Sequence, residues 1–276
     1  METRRMCPHC RAFITTRDRV CPYCNESVRP RAVQGLGGGG SILGGFIPHA
    51  RFVTTMILLV NAALYLATGL YSMRTGNGNL VNLDMQTLWE FGAKLSRSIL
   101  GGGQWWRLVT AGFLHGGLLH IGMNSWVLFD LGAQIEEVFG PPRLIVIYFC
   151  ATVGGFLAST FWSSALSMGA SAGIMGLIGA MIALGTMHRS AVGDAIRRVY
   201  VRYAIYMVIF GLLVPNIDNA AHLGGLAAGF VVARVAGLPR LNDRGEQFWR
   251  AASYACLGLT ALCFLKMYLS FTTLEP

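Results

Sequence analysis

Four polar side chains stand near the starts of otherwise apolar segments, where strongly polar groups are costly and usually serve a function. His120 and Asn124 lie four residues apart, so they share one face of a helix. Ser171 follows Gly169 after one residue, and His222 lies near the start of a later apolar run. A serine hydroxyl becomes a nucleophile when a base such as an imidazole takes its proton. These residue types predict nucleophilic catalysis by Ser171 with His222 as general base.

The predicted reaction also needs hydrogen-bond donors for the oxyanion that forms when a serine attacks a peptide carbonyl. The side chains of His120 and Asn124 can donate, and so can the backbone N–H of Ser171 at a helix start. A third, acidic partner is not obvious: Asp218, four residues before His222, either orients the imidazole or lies in the preceding loop. The Gly-x-Ser-x-Gly spelling alone is weak support, because the nucleophile elbow of soluble hydrolases follows a strand.

The composition indicates which elements must carry these residues. Of the 276 residues, 54% are apolar and 13% are charged, about half the charged fraction of a soluble domain. A bilayer-spanning helix needs about 17 to 25 mainly apolar residues. The sequence therefore predicts an all-α polytopic membrane protein. Seven segments have the required length: 51–71, 117–138, 143–163, 171–187, 198–214, 220–236 and 249–271.

The positive charges fall between the apolar segments, so we attribute the formal net charge of +9 to membrane orientation and exclude nucleic-acid binding. Arginines concentrate in the N-terminal arm and in the loops after the fourth and sixth segments. With seven spans, these regions share one side, which predicts a cytoplasmic N-terminus and a C-terminus on the outer side. His120, Ser171 and His222 then share a shallow depth near that outer side. A bacterial inner membrane is the expected location.

Small residues would let the helices of the site approach each other, because lipid provides little hydrophobic force for helix association. His222, Gly225 and Gly229 lie at positions i, i+3 and i+7, on one stripe of the sixth helix. On the fourth helix, Gly169 and Gly173 flank the serine, and further glycines follow. We expect the two helices to pack through these glycines, with the serine and the imidazole within hydrogen-bond distance.

Together these residues resemble the rhomboid family of intramembrane proteases. The resemblance covers about residues 50–240, and the motifs occur in the family's order and spacing. The motifs are Trp106-Arg107, His115-x4-His120-x3-Asn124, Gly169-x-Ser171 and His222-x2-Gly225-x3-Gly229, with Gly132, Glu136 and Gly140 at the end of the second helix.

The resemblance implies a rhomboid-like six-helix core, a serine–histidine dyad without an aspartate, and cleavage of transmembrane protein substrates in the lipid bilayer. Ser171 would be the nucleophile and His222 the general base, with no cofactor for catalysis. His120 and Asn124 would line the oxyanion hole, and His115 would be a supporting loop residue. The tryptophan–arginine pair and the motif that ends the second helix would be structural.

Two positions depart from the family pattern. Ala172 follows the nucleophile where glycine is common, and Met175 stands where an aromatic ring often packs under the histidine. Methionine can fill such a gap with a softer contact. We expect an altered rate or specificity and retained activity.

Four cysteines near the N-terminus form a Cys-Pro-x-Cys pair that recurs after ten residues: Cys7, Cys10, Cys21 and Cys24. Two such pairs predict a structural zinc site, in which four thiolates complete the tetrahedron. A rubredoxin-like iron site and disulfides are the alternatives, and disulfides fit a cytoplasmic arm poorly. Docking of a protein partner, substrate recruitment and stability are roles that the sequence allows for this segment.

The expected organisation is a zinc-ribbon-like cytoplasmic segment (1–31), a Gly-rich linker (32–49), a six-helix core (50–240) and a C-terminal seventh transmembrane helix (241–276). The main functional alternative is a non-catalytic relative that binds or escorts membrane proteins. A transporter would need a charged midplane pathway, for which Asp130 is the notable candidate. A metalloprotease is disfavoured because the sequence has no His-Glu-x-x-His motif.

Overall fold

The computed structural model describes residues 4–7, 13–15, 21–24, 51–75, 78–239 and 243–272, and the chain divides into two compact units, Met1–His49 and Ala50–Pro276. The second unit is helical in its described part. In chain order its helices are α1 (Phe52–Arg74), the short α2 (Met85–Glu90), α3 (Ser96–Leu100) and α4 (Arg107–Thr110), a 3-10 turn (Ala111–Phe113), then α5 (Leu118–Phe139), α6 (Pro141–Trp162), α7 (Ser171–Met187), α8 (Ala191–Leu213), α9 (Asn219–Ala236) and α10 (Asp243–Thr272).

Each of the seven predicted apolar segments coincides with one long helix, and the all-α membrane class is confirmed. Within the described residues, α1, α6 and most of α10 are long and apolar enough to cross a membrane by length and composition, and α7 is a shorter apolar helix. α8 begins earlier than predicted, because the Ser190 hydroxyl caps it by accepting the Gly193 N–H at 3.2 Å. Hydropathy marks the apolar part of a helix and misses the polar turns that extend it.

The segment between α1 and α5 contains a buried arginine that organises it. Arg107 is 1% exposed, and its guanidinium donates hydrogen bonds to the carbonyl oxygens of Trp89 (2.5 Å) and Ala93 (3.0 Å). The same group lies over the Trp106 ring, 4.6 Å from the centroid. Burial lowers the pKa of Arg107 to about 10, so it keeps its charge at neutral pH. Arg107 therefore holds the turn after α2 against α4.

α7 is the central helix of the second unit, and α5, α6, α8 and α9 pack around it. Most of its side chains are buried, as expected for a nearly all-apolar sequence. Glycines determine how close α9 comes: a Cβ on Gly229 would overlap the backbone of Gly176, and one on Gly225 would lie 3.0 Å from the carbonyl carbon of Ala172. The two helices therefore touch through their backbones, as membrane helices with small residues commonly do.

Glu136, in the last turn of α5, caps the N-terminus of α1. Its carboxylate accepts hydrogen bonds from the backbone N–H groups of Val53 (2.9 Å) and Thr54 (3.0 Å) and from the Thr54 hydroxyl (2.8 Å). The first N–H groups of a helix have no acceptor within the helix, and the helix dipole favours an anion there. A Cβ on Gly132 would lie 2.7 Å from the Thr54 methyl group, so this glycine allows the close approach. α1 is thereby anchored to α5.

Replacing Glu136 by alanine should lower the free energy of unfolding by about 2–4 kcal/mol, because charge-assisted hydrogen bonds are lost and two amides of α1 lose their acceptor. Unfolding of the purified protein in detergent micelles measures the change. Glu137→Ala is the matched control, since Glu137 is the exposed neighbour on the same helix. Equal stability of the two variants would contradict the capping role.

α10 packs along α6 and against α4, and it is held at both ends. Near one end, the Phe271 ring lies 5.3 Å from the Tyr71 ring and 5.3 Å from the Phe91 ring, measured between centroids. Near the other end, Arg143 of α6 forms a two-point ion pair with Glu246, with both N–O distances 2.8 Å. The seventh helix is therefore part of the packed second unit.

The first unit contains two short strands, β1 (Arg4–Met6) and β2 (Phe13–Thr15), which pair antiparallel with Met6 opposite Phe13. Cys7 directly follows β1, and a turn carries Cys21 and Cys24. The buried side chain of Ile14 packs with these cysteines.

Candidate active site

Ser171 is the first residue of α7, and Ala170 is the N-cap. The backbone N–H groups of a first helical turn have no acceptor inside the helix. The Ser171 hydroxyl therefore stands beside several backbone donors at the positive end of the helix dipole. A nucleophile next to such donors is the arrangement that an oxyanion hole requires.

His120 of α5 reaches the residues just before Ser171. Gly169 has a φ of +130°, and a Cβ built there would lie 2.7 Å from His120 Nε2 and 3.6 Å from the Ser171 hydroxyl oxygen. The Gly169 N–H donates to the Ala111 carbonyl oxygen at 2.9 Å, which holds this backbone against the 3-10 turn. Because Gly169 has no side chain, the His120 imidazole and the Ser171 hydroxyl can both lie close to its backbone.

The hydrogen bond made by Nδ1 of His120 determines which nitrogen of the neutral ring carries the proton. His120 Nδ1 accepts a hydrogen bond from the Gly116 N–H at 3.4 Å, so the proton of a neutral ring is on Nε2. One turn along α5, the Asn124 side-chain amide donates to the His120 carbonyl oxygen at 3.1 Å. His120 thereby presents an Nε2–H donor toward Gly169 and Ser171.

His222 lies buried in the first turn of α9. His120 lies within electrostatic range of His222. The residues next to Ser171 and His222 also meet: a Cβ on Gly155 of α6 would lie 2.6 Å from the Ala221 carbonyl oxygen and 2.8 Å from the Ala172 Cβ. The structure therefore gathers the serine and the two histidines at one end of α5, α7 and α9.

In the part of the chain that the structure describes, no hydrogen bond joins the Ser171 hydroxyl to the His222 imidazole, and His222 Nδ1 is buried without a hydrogen-bond partner. Catalytic hydrogen bonds are often long in the free enzyme and shorten in the substrate complex. The observed geometry is therefore compatible with a serine–histidine dyad, with Asn124 one turn away from the meeting point.

Asp218 does not bind the imidazole. Its carboxylate accepts the Ala221 N–H at 3.0 Å as the N-cap of α9, and it also accepts the hydroxyl of Ser159 on α6. The acid that the sequence left open as a partner of His222 therefore acts as a helix cap.

His115 lies in the loop before α5 and is completely buried. Its ring meets the His120 ring edge to face, with centroids 5.1 Å apart. Burial, followed by the neighbouring His120, lowers the pKa of His115 to about 3, so the ring is neutral at physiological pH. A neutral ring in this place supports His120 by packing.

The two unusual positions, Ala172 and Met175, are both completely buried. Ala172 lies in the tight contact between α6, α7 and α9, and Met175 belongs to the main hydrophobic core. An aromatic ring does lie beside the start of α7, but it comes from Tyr148 of α6, which a Cβ on Gly173 would approach to 2.5 Å. The sequence did not indicate this contact, because Tyr148 is one of many apolar residues in its helix.

Gly116 is a second residue that sequence reasoning missed. Its backbone N–H orients His120, a role that no side chain reveals. The Gly116–Gly117 pair directly before α5 was the available signal, since paired glycines indicate an irregular backbone.

The chain is similar in sequence to a described family and to several known proteins. Residues 102–238 match the family described as "Rhomboid domain". Rhomboid protease GluP of Bacillus subtilis (strain 168) is 35% identical over 188 residues, which are 68% of this chain and 36% of that protein. RHOMBOID-like protein 6, mitochondrial, of Arabidopsis thaliana is 34% identical over 173 residues, 61% of this chain and 55% of that protein. Rhomboid-like protease 3 of Toxoplasma gondii is 33% identical over 165 residues, 57% of this chain and 61% of that protein. The chain thus spans between about a third and three fifths of the length of these relatives.

Proposed function

We propose that this chain is an intramembrane serine endopeptidase of the rhomboid family. The match to the Rhomboid domain and the named relatives support this assignment. The enzyme hydrolyses peptide bonds in or near transmembrane segments of other membrane proteins. The observation that carries this proposal is the grouping of Ser171, His120 and His222 at one end of three neighbouring helices: His120 and the Ser171 hydroxyl flank Gly169, and Ala172 and Ala221, the neighbours of Ser171 and His222, both lie against Gly155.

In the proposed mechanism, the Ser171 hydroxyl attacks the peptide carbonyl while His222 Nε2 takes its proton. The tetrahedral intermediate collapses when the imidazolium gives that proton to the leaving amine, and an ester on Ser171 is left. Water, deprotonated by His222, then hydrolyses the ester and restores the serine. Asp218 acts in this mechanism as the cap of α9, because its carboxylate accepts the Ala221 N–H and the Ser159 hydroxyl and, within the described residues, makes no hydrogen bond to the imidazole.

The oxyanion of each tetrahedral intermediate is stabilised by the backbone N–H of Ser171 and by His120 Nε2–H. The hydrogen bond from Gly116 selects this tautomer of His120, and packing by the neutral His115 ring keeps the imidazole in place. Asn124 holds the His120 backbone and adds a further amide to the lining. Loss of one oxyanion donor typically lowers the rate about 10²- to 10³-fold.

The substrates in this proposal are transmembrane proteins that reach the site through the lipid bilayer. The arginine pattern supports a cytoplasmic N-terminus and an outer C-terminus in a bacterial inner membrane. The domain boundaries proposed above follow: segment 1–31, linker 32–49, core 50–240 and seventh helix 241–276.

Reconstitution with a single-span reporter tests the proposal. The purified chain in lipid nanodiscs should cut a reporter tagged at both ends into two fragments, and mass spectrometry should place the cut in or near the outer end of the span. A non-catalytic escort would bind the reporter and leave it intact. Tight binding of several unrelated reporters without cleavage would contradict the protease assignment.

For the N-terminal unit we propose a structural zinc site. The Sγ atoms of Cys7, Cys21 and Cys24 all lie within 4.8 Å of one another, and those of Cys7 and Cys24 are 3.7 Å apart. Zn–S bonds of about 2.3 Å in a tetrahedron put neighbouring sulfurs about 3.8 Å apart, so the cluster fits the ion. Cys10, the fourth predicted ligand, lies outside the described residues. Bound zinc would fold a unit too small to fold alone, and this unit could serve as a docking point for a protein partner.

We expect about one zinc ion per chain in elemental analysis of the purified protein. Cys21→Ser should lower the zinc content severalfold, because the buried thiolate is lost. Cys263→Ser, a change in α10, is the matched control and should leave the zinc content unchanged. Bound iron, or zinc content unaffected by Cys21→Ser, would contradict the proposed site.

A further inference from the structure

Lys94, in the loop between α2 and α3, is completely buried although no sequence motif includes it. A buried ammonium group is costly unless hydrogen bonds and a counter-charge compensate for lost water. Its Nζ donates to the carbonyl oxygens of Ser163 (2.6 Å) and Ala165 (3.3 Å). Burial lowers the pKa of Lys94, and the negative charge of Asp218 opposes this shift. Lys94 thus holds the start of the loop that follows α6.

The loop that Lys94 holds leads directly into the nucleophile. Lys94 and Ser167 exchange two backbone hydrogen bonds, each 2.9 Å, and the Ser96 hydroxyl donates to the Ser163 carbonyl oxygen at 2.6 Å. Residues 163–167 are therefore fixed by both backbone and side chains of the 94–96 segment. Gly169 and Ser171 follow immediately, so any shift of this loop displaces the serine.

The same end of α6 is joined to the helix of the base. The Ser163 N–H donates to the Ser159 carbonyl oxygen at 2.8 Å, and the Ser159 hydroxyl donates to the Asp218 carboxylate. Asp218 caps α9 through the Ala221 N–H, and its own carbonyl oxygen accepts the His222 N–H at 3.1 Å. Its second side-chain partner is Ser159 of α6, which is buried. A displacement of Asp218 would therefore move the first turn of α9 and His222 with it.

We infer that Lys94 is a positioning residue for the proposed reaction: its ammonium group holds the Ser163 and Ala165 carbonyls, between the loop that leads to Ser171 and the Ser159–Asp218 contact at the start of α9, and so sets the spacing between Ser171 and His222. The inference rests on the proposed protease activity. Lys94 touches no reacting atom and acts through the loop before α7 and the cap of α9.

Lys94→Met keeps an unbranched side chain of similar length and removes the charge. We expect kcat to fall about 10- to 100-fold with KM changed less than about twofold, because a misplacement near 1 Å costs rate and leaves substrate binding intact. Lys266→Met is the matched control, since Lys266 is an exposed lysine of α10. Wild-type kcat in folded Lys94→Met protein would overturn the inference.

A double-mutant cycle tests the link to the α9 cap. Asp218→Asn keeps a capping oxygen and removes the charge, and it should lower kcat about tenfold. If the two charges act as one unit, Lys94→Met combined with Asp218→Asn should be no slower than Lys94→Met alone. If the kcat losses of the two single variants multiply in the double variant, Lys94 and Asp218 act independently and the inference is overturned.

Two further measurements test the inference if Lys94→Met folds poorly, and separate its failure from a failure of the protease proposal. Ser96→Ala removes one donor to the Ser163 carbonyl and should lower kcat about threefold to tenfold; an unchanged kcat would count against positioning through this loop. In a Ser171→Ala background, Lys94→Met should speed hydrogen exchange at the Ser167 and Gly169 amides, and unchanged exchange would refute the inference. If the parent chain cleaves nothing while exchange responds, the proposed function fails and the inferred catalytic role of Lys94 fails with it, although Lys94 still fixes the loop; if the parent chain cleaves and exchange does not respond, the inference alone fails.

Discussion

Ser171→Ala and His222→Ala should each lower kcat/KM for a transmembrane reporter by about 10⁴-fold or more, with the fold unchanged. Without Ser171 no ester intermediate forms, and without His222 the hydroxyl keeps its proton at neutral pH. Because the two groups act as one unit, the double variant should be no slower than either single one. Cleavage by purified protein in nanodiscs measures all three.

Matched controls separate chemistry from folding in this experiment. Ser164→Ala alters an exposed serine of the loop before α7, and His188→Ala alters a histidine that follows the other end of α7. Both should cleave at nearly the parent rate. Losses that multiply in the double variant, or a His222→Ala protein that still cleaves, would contradict the dyad.

Gly169→Ala should lower kcat about 10²-fold or more and leave most of the stability intact. Its Cβ would lie 2.7 Å from His120 Nε2 and 2.9 Å from His120 Cε1, and the φ of +130° is one that side chains other than glycine rarely adopt. The imidazole must retreat from Ser171, so the oxyanion loses a donor. Steady-state kinetics with the reporter would record the loss.

Two comparisons show whether the contact with His120 causes that loss. Gly103→Ala introduces a methyl group at another positive φ, +65°, with nothing within 4 Å of its Cβ, and should cleave at the parent rate. In a His120→Ala background, adding Gly169→Ala should cost less than about tenfold, because the clash partner is gone. A full additional 10²-fold loss there would point to backbone strain instead of His120.

The long helices could be predicted from the sequence because each contains a long run of apolar residues. Apolar runs located all seven long helices, and the His222, Gly225 and Gly229 stripe anticipated the face on which α9 meets α7. Helix ends were less accurate: α8 extends back to Ala191 through a capped polar turn. Local hydrogen bonds, which hydropathy ignores, decide such ends.

The candidate catalytic residues stand out in the sequence as a set, because polar groups recur near the starts of three apolar helices. The residues that hold these candidates in place could not be predicted from the sequence. Lys94 resembles an ordinary loop lysine in sequence, and its burial depends on carbonyl oxygens of Ser163 and Ala165, far along the chain. From the sequence, Asp218 could orient His222 or lie in the preceding loop, and its bonds to Ala221 and Ser159 show that it caps α9.

The partner of Glu136 could not be predicted from the sequence either. The family resemblance implied a structural role for Glu136, but its partner, the first turn of α1, is a long-range contact. Side chains that join distant segments depend on tertiary geometry, which residue type and spacing do not encode directly.

Covalent labelling of Ser171 tests the central claim most directly. A fluorophosphonate probe forms an ester with an activated serine oxygen and releases fluoride, and peptide mass spectrometry locates the adduct. We expect modification of Ser171 in the parent protein and none at that residue in folded His222→Ala protein. A parent protein that cleaves the reporter without modification at Ser171, or equal modification in the absence of His222, would contradict it.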